Sequence, residues 1–180
     1  VWYTGQFYAL TFIQKTCNIE FVQSYHIIAI ALLIGTPLFI YFGWWSDKVG
    51  RKYIMMTGLI LAVICYRPIY SKMYALADLS GKTEIIEKEK SEISYITDNT
   101  DSIKVISSVV NFTDGYQLFQ STKYNAADEE LGTTKQIVLS DDAKRTMILL
   151  VLVQVVFVTM VYGPIAAFLV ELFPTRIRYT

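Results

Sequence analysis

Gly43-Trp44-Trp45-Ser46-Asp47-Lys48-Val49-Gly50-Arg51-Lys52 is a polar decapeptide between two oily stretches, and its reading decides how the rest of the chain is organised. Four of its last six residues are charged. Residues 21–43, which lead into it, carry no formal charge beyond a protonatable His26, and residues 53–66, which follow it, carry none. Flanks of this kind approach the roughly 20 apolar residues that cross about 30 Å of hydrocarbon, so flank, turn and flank read as a membrane hairpin. Lys48, Arg51 and Lys52 then place the turn in the cytoplasm by the positive-inside bias.

Within the decapeptide, Gly43 and Gly50 are expected to bracket a tight turn, because a missing Cβ permits positive φ and close approach of two helix ends. Asp47 is placed either to cap the helix that follows or to accept a bidentate bond from Arg51. A plainer reading, a solvated basic turn, does not account for the register of two glycines, an aspartate and three cations.

That register resembles the signature loop of the major facilitator superfamily, G-x-L-a-D-r-x-G-R-k, which joins the second and third helices and again the eighth and ninth. Gly43, Asp47, Lys48, Gly50, Arg51 and Lys52 match it, with Trp45 where the family usually has leucine. Glu171-Leu172-Phe173-Pro174-Thr175-Arg176-Ile177-Arg178 resembles the E-L-F-P-T-x-x-R close of the tenth helix in the metabolite:proton symporter branch. Trp2-Tyr3-Thr4-Gly5-Gln6-Phe7-Tyr8-Ala9 resembles the seventh helix of that branch. The resemblance covers residues 1–72 and 145–180 and leaves the middle unmatched.

Outward from the decapeptide, the chain divides into two unlike materials. Residues 1–14 are uncharged, with aromatics at positions 2, 3, 7, 8 and 12 in two helical stripes. Thr4, Gln6 and Gln14 on this stretch are expected to face other helices or an aqueous cavity. Residues 21–43, 53–70 and 146–170 supply three further spans. Gly35 and Pro37 interrupt the first of these, and Gly163-Pro164 the last, as bends that neighbouring helices can accommodate in a membrane. His26 is either a proton carrier or, more simply, bonded to a neighbour's carbonyl. Arg67 either snorkels to the interface or serves as an anion ligand. Residues 72–144, by contrast, hold 13 acidic and 8 basic residues and cannot cross a membrane. Residues 84–92, with charge alternating in sign, suit a solvated helix. Residues 103–110 and 135–139, rich in β-branched side chains, suit short strands. A segment this long is either a small folded insertion or disordered. The bunching of its apolar residues between 93 and 119 favours a small strand-containing core.

The expected fold is therefore mainly α: polytopic membrane helices, the seventh to tenth of a twelve-helix major facilitator fold, with a small extracytoplasmic insertion of α+β character if folded. Three regions follow: 1–71 with helices seven to nine, 72–144 as the insertion, and 145–180 with the tenth helix and its cytoplasmic end. One crossing from the decapeptide puts residues 72–144 outside, and a second returns Arg176 and Arg178 inside. Residue 1, a valine within an apolar run without an initiator methionine, suggests a fragment cut from a longer chain.

Formal net charge is zero, so no basic excess points to nucleic acid. Cys17 and Cys65 have neither metal-ligand spacing nor a disulfide framework. No nucleophile-base pair, phosphate loop or metal cluster suggests an enzyme or a cofactor. The resemblance implies part of a secondary active transporter in a plasma membrane, most simply a bacterial inner membrane. It implies alternating access and symport of a small organic acid or zwitterionic solute with a proton as coupling ion. Its partners would be the solute, the bilayer and the remaining helices of the same carrier. The implied cytoplasmic gate comprises Gly43, Asp47, Lys48, Gly50, Arg51, Lys52, Glu171, Arg176 and Arg178. Because the seventh and tenth helices line the central path in the family, Tyr3, Gln6, Tyr8, Gln154 and Tyr162 are the candidates for solute contact. Two other classes compete. A channel would need a filter motif that is not visible, and a membrane-anchored receptor would act through the 72–144 insertion.

Overall fold

The computed structural model describes residues 3–98, 101–124 and 130–172. These are mostly helical, with a small antiparallel sheet. The chain opens on a helical stretch, here α1, made of wide π turns at Thr4–Tyr8 and Phe12–Thr16 around an α turn at Ala9–Thr11. Three long helices follow: α2 (Phe21–Val49), α3 (Arg51–Ala77) and α4 (Asp141–Leu172). Each of the three is long and apolar enough to cross a membrane. Between α3 and α4 lie β1 (Glu84–Asp98), β2 (Asp101–Phe112), β3 (Gln117–Tyr124) and β4 (Glu130–Val138), paired in sequence order.

α4 is the helix around which the bundle is built. Half of its most apolar window is buried, against 28% and 22% for α2 and α3. Met147, Val151 and Val155 on α4 are almost wholly buried and belong to the same core as Ala9 and Ile13 of α1, Ile27 and Ala31 of α2, and Met73 of α3. The outer faces of α2 and α3 keep large apolar side chains exposed, among them Leu33, Ile40, Val63 and Ile64. An exposed apolar exterior around a packed core is what a lipid solvent selects, since aliphatic side chains cost nothing there.

The backbones of α2 and α4 approach closely where Gly163 faces Gly43. A Cβ on Gly163 of α4 would stand 3.1 Å from the Phe39 carbonyl and 3.2 Å from the Gly43 nitrogen of α2. Gly43 therefore lies inside α2 at a helix crossing, and does not open a turn as its place in the decapeptide suggested. The helix simply continues through Trp44, Trp45, Ser46, Asp47, Lys48 and Val49. Only Gly50, at φ +106°, stands between α2 and α3.

Two further expectations change. α3 runs past residue 71 to Ala77 and α4 begins at Asp141, so the helices extend into the charged middle at both ends. Asp141 and Asp142 in the first turn of α4 suit the positive end of its dipole. Residues 84–92 are strand, not a solvated helix. Their Glu/Lys helix preference yields to pairing along β2, Glu84 opposite Phe112 and Ile85 opposite Asn111, then, after an irregularity, Lys90 opposite Val109 to Glu92 opposite Ser107. The expected strand at 103–110 lies within β2 and that at 135–139 overlaps the end of β4, which stops at Val138, while β3 had no separate signal.

The sheet is fastened to one end of the bundle. Ile137 donates its N–H to the Asn18 carbonyl (2.7 Å) and accepts from the Glu20 N–H (2.9 Å), so the turn before α2 covers part of the β4 edge. Gln23 on α2 pairs with both backbone groups of Leu139: its Nε2 donates to the carbonyl (3.0 Å) and its Oε1 accepts from the N–H (2.8 Å). Tyr116 donates its hydroxyl to the Leu76 carbonyl at the end of α3 (3.1 Å). Val110, Leu118 and Ile137 pack on the bundle core. Gly50 and the end of α4 lie at the other end.

Candidate functional site

The sheet-distal end of the bundle is organised by one side chain. Gly50 reverses the chain with the positive φ that disfavours a Cβ, and Arg51 begins α3 one turn beyond Asp47. The Arg51 Nε and Nη2 both donate to Asp47 Oδ1, at 3.1 and 2.9 Å. Its Nη1 donates in the other direction, to the Ala167 carbonyl at 3.1 Å and to Glu171 Oε1 at 2.5 Å. One guanidinium thus ties the end of α2, the start of α3 and the last turns of α4. Its planar fork suits this task, where an ammonium could not hold the same directions.

The three side chains are not equally wet. Arg51 is 23% exposed, whereas Asp47 and Glu171 are each 58% exposed. The hub is therefore a solvated clamp and not a buried ion triad. Exposed pairs are individually weak, so the clamp ties the helix ends together only loosely.

Around the hub the other expected residues have distinct places. Asp47 does not cap α3, whose N-cap position is Gly50, without a side-chain bond. Lys48 stands over the Trp44 ring, 3.8 Å from its centroid. Lys52 is exposed and makes no ion pair among the described residues. Ser46, which the sequence did not single out, is buried and donates to the Gly43 carbonyl at 2.6 Å. Arg176 and Arg178 lie outside the described residues.

The five candidates for solute contact do not converge. Tyr3 and Tyr8 line an open depression of about 490 Å³ with Phe7 and Thr11. Tyr8 also meets Tyr70 of α3 edge-on, at 5.4 Å between centroids. Gln6 is half-buried and Tyr162 exposed at the margin. Gln154 is fully buried inside the bundle, its Nε2 3.4 Å from Met73 Sδ and its Oε1 without a partner among the described residues. Gln14 Nε2 is likewise buried and unpartnered among them. His26 is exposed on α2, with no hydrogen bond among the described residues, and Arg67 is exposed on α3 as a snorkelling side chain would be. Sequence reasoning missed the Gln23 clamp, although a glutamine two residues into an apolar helix was its available signal.

No group of metal-binding side chains occurs among the described residues. No family model, curated protein or solved structure matches the chain.

Proposed function

We propose that the chain is part of a secondary active transporter that moves a small organic acid or zwitterionic solute together with a proton by alternating access. On this reading the Arg51 hub faces the cytoplasm, the sheet faces outward, and further helices of the same carrier complete the path in a plasma membrane. The observation that carries the reading is the hub itself. Arg51 joins the two segments that resemble family signatures, the 43–52 decapeptide and the close of the last helix at Glu171, across a long separation in sequence.

Placement supports it too. The hub and the sheet occupy opposite ends of helices long enough to cross a bilayer, so a conformational bias at one end can act on access at the other. The second reading, a receptor anchored by its helices, draws on the sheet being a folded unit tied to the helix ends. The two separate in vesicles containing the full-length protein. A carrier accumulates labelled solute when a proton gradient is imposed and loses it when a protonophore is added. A receptor binds solute without accumulating it.

A further inference from the structure

Where the sheet meets the helix ends, a cleft of about 290 Å³ opens between the end of α3, the turn after α1 and the bundle-facing side of β3 and β4. Leu118 and Ile137, opposite one another in the β3–β4 pairing, form an apolar wall continuous with the bundle core. Lys135 lies two residues before Ile137 on β4, hence on the same face of the sheet, and also lines the cleft. Across from the sheet stands Asp78, the first residue after α3. Its Oδ1 accepts from the Ser80 N–H (3.0 Å) and the Ser80 hydroxyl (2.7 Å), which orients the carboxylate and leaves Oδ2 to accept from elsewhere. Those bonds, with the charge of Lys82, hold the Asp78 carboxyl below the usual carboxylate range, so it is an anion at neutral pH. Lys135 makes no ion pair among the described residues. Asn18, Thr16 and Tyr74 complete the rim with donors and acceptors. Cys17 also lines the cleft, but burial pushes its thiol up to about 11, so it is wall and not nucleophile.

We propose that this cleft binds a compact zwitterion, with its carboxylate on the Lys135 ammonium and its ammonium on the Asp78 carboxylate. Opposite charges on facing sides of an apolar-backed cleft are complementary to a molecule that carries both. A ligand with one charge would desolvate the second wall without pairing it, and discrimination of that kind is what unpaired polar groups supply. The volume falls at the small end of ligand sites, which suits an amino-acid-sized molecule. Both charged residues are exposed, so the affinity is modest. The site does not require the chain to be a carrier. On the carrier reading it is the place where solute is held before it enters the membrane.

Equilibrium dialysis on the full-length protein in lipid nanodiscs, without a proton gradient, tests it with labelled γ-aminobutyrate as probe and butyrate and n-butylamine as single-charge competitors. Saturable binding at millimolar concentration is expected, with each competitor at least about tenfold weaker than unlabelled γ-aminobutyrate. Lys135→Met and Asp78→Asn should each weaken binding about tenfold, Lys135→Arg should retain it, and Glu20→Gln, outside the cleft, should leave it unchanged. Thermal melting of each variant separates loss of the site from loss of the fold. Equal competition by butyrate, absence of saturable binding, or wild-type binding by folded Lys135→Met would each overturn the proposal. Because no gradient is applied, failure of transport leaves this outcome standing, and the reverse holds as well.

Discussion

Arg51 Nη1 lies 2.5 Å from Glu171 Oε1, a contact between the first residue of one membrane-length helix and the last turn of another. Because the same guanidinium holds Asp47 and the Ala167 carbonyl, removing it should free two helix ends at once. Arg51→Lys is expected to keep the charge but lose the fork, lowering thermal stability only slightly. Arg51→Ala should cost more, since the Ala167 carbonyl also loses its donor. Melting of both variants in detergent checks the order, and equal melting of wild type and Arg51→Ala would show that the hub is not a clamp.

The backbone at two glycines sets a second expectation. Gly50→Ala forces a side chain into a φ of +106°, at a cost of about 1–3 kcal/mol. Gly163→Ala instead inserts a methyl between α4 and the Phe39–Gly43 backbone of α2, an overpacking worth about 1–3 kcal/mol. The two should be distinguishable by cross-linking of α2 to α4, which Gly163→Ala weakens and Gly50→Ala leaves intact. Wild-type cross-linking in Gly163→Ala would mean that the helices do not meet there.

The sheet should depend on Gln23. Replacing it with leucine leaves the buried N–H and carbonyl of Leu139 without their side-chain partner, at about 1–3 kcal/mol for each orphaned group. Limited proteolysis of the full-length protein in right-side-out vesicles should then cut near residues 139–141 faster in Gln23→Leu than in wild type. Unaltered cutting would place the attachment elsewhere.

The three long spans were legible in the sequence because a charge-free run of membrane length carries its own solvent preference, whatever its neighbours are. The decapeptide was not legible as structure. Its charges and glycines resemble a loop, yet nothing from Trp44 to Val49 obstructs helical hydrogen bonding, and the break falls at the one residue that accepts positive φ. Residues 84–92 misled for the opposite reason. Local Glu/Lys preference is worth roughly tenths of a kcal/mol per residue, and a long Val/Ile-rich partner strand outweighs it. The link from Arg51 to Glu171 could be proposed because both lay in stretches that resemble the family. The Ala167 carbonyl and the Gln23 clamp could not, since each depends on which helix faces which.

Alkaline pH gives an independent check on the helix-end packing. Cys17 is buried and its thiol is raised from an ordinary value near 9.0 to about 11. A thiol that ionises less readily when folded contributes stability that is fully present below its unfolded pKa and is lost as pH rises toward the folded one. Stability should thus fall between roughly pH 9 and 11, and Cys17→Ser should flatten that fall. In a Cys65→Ser background, Cys17 should also resist alkylation at about pH 8. Rapid labelling there would show that the α1–α2 turn is open.

The most direct test of the carrier reading is the initial rate of proton-driven solute accumulation by full-length wild type and Asp47→Asn at equal membrane abundance. The account predicts wild-type accumulation that a protonophore abolishes. It also predicts an Asp47→Asn rate lower by about tenfold, a bias of roughly 1.4 kcal/mol, with insertion unchanged. Accumulation indifferent to the protonophore, or equal rates in the two proteins, would contradict it.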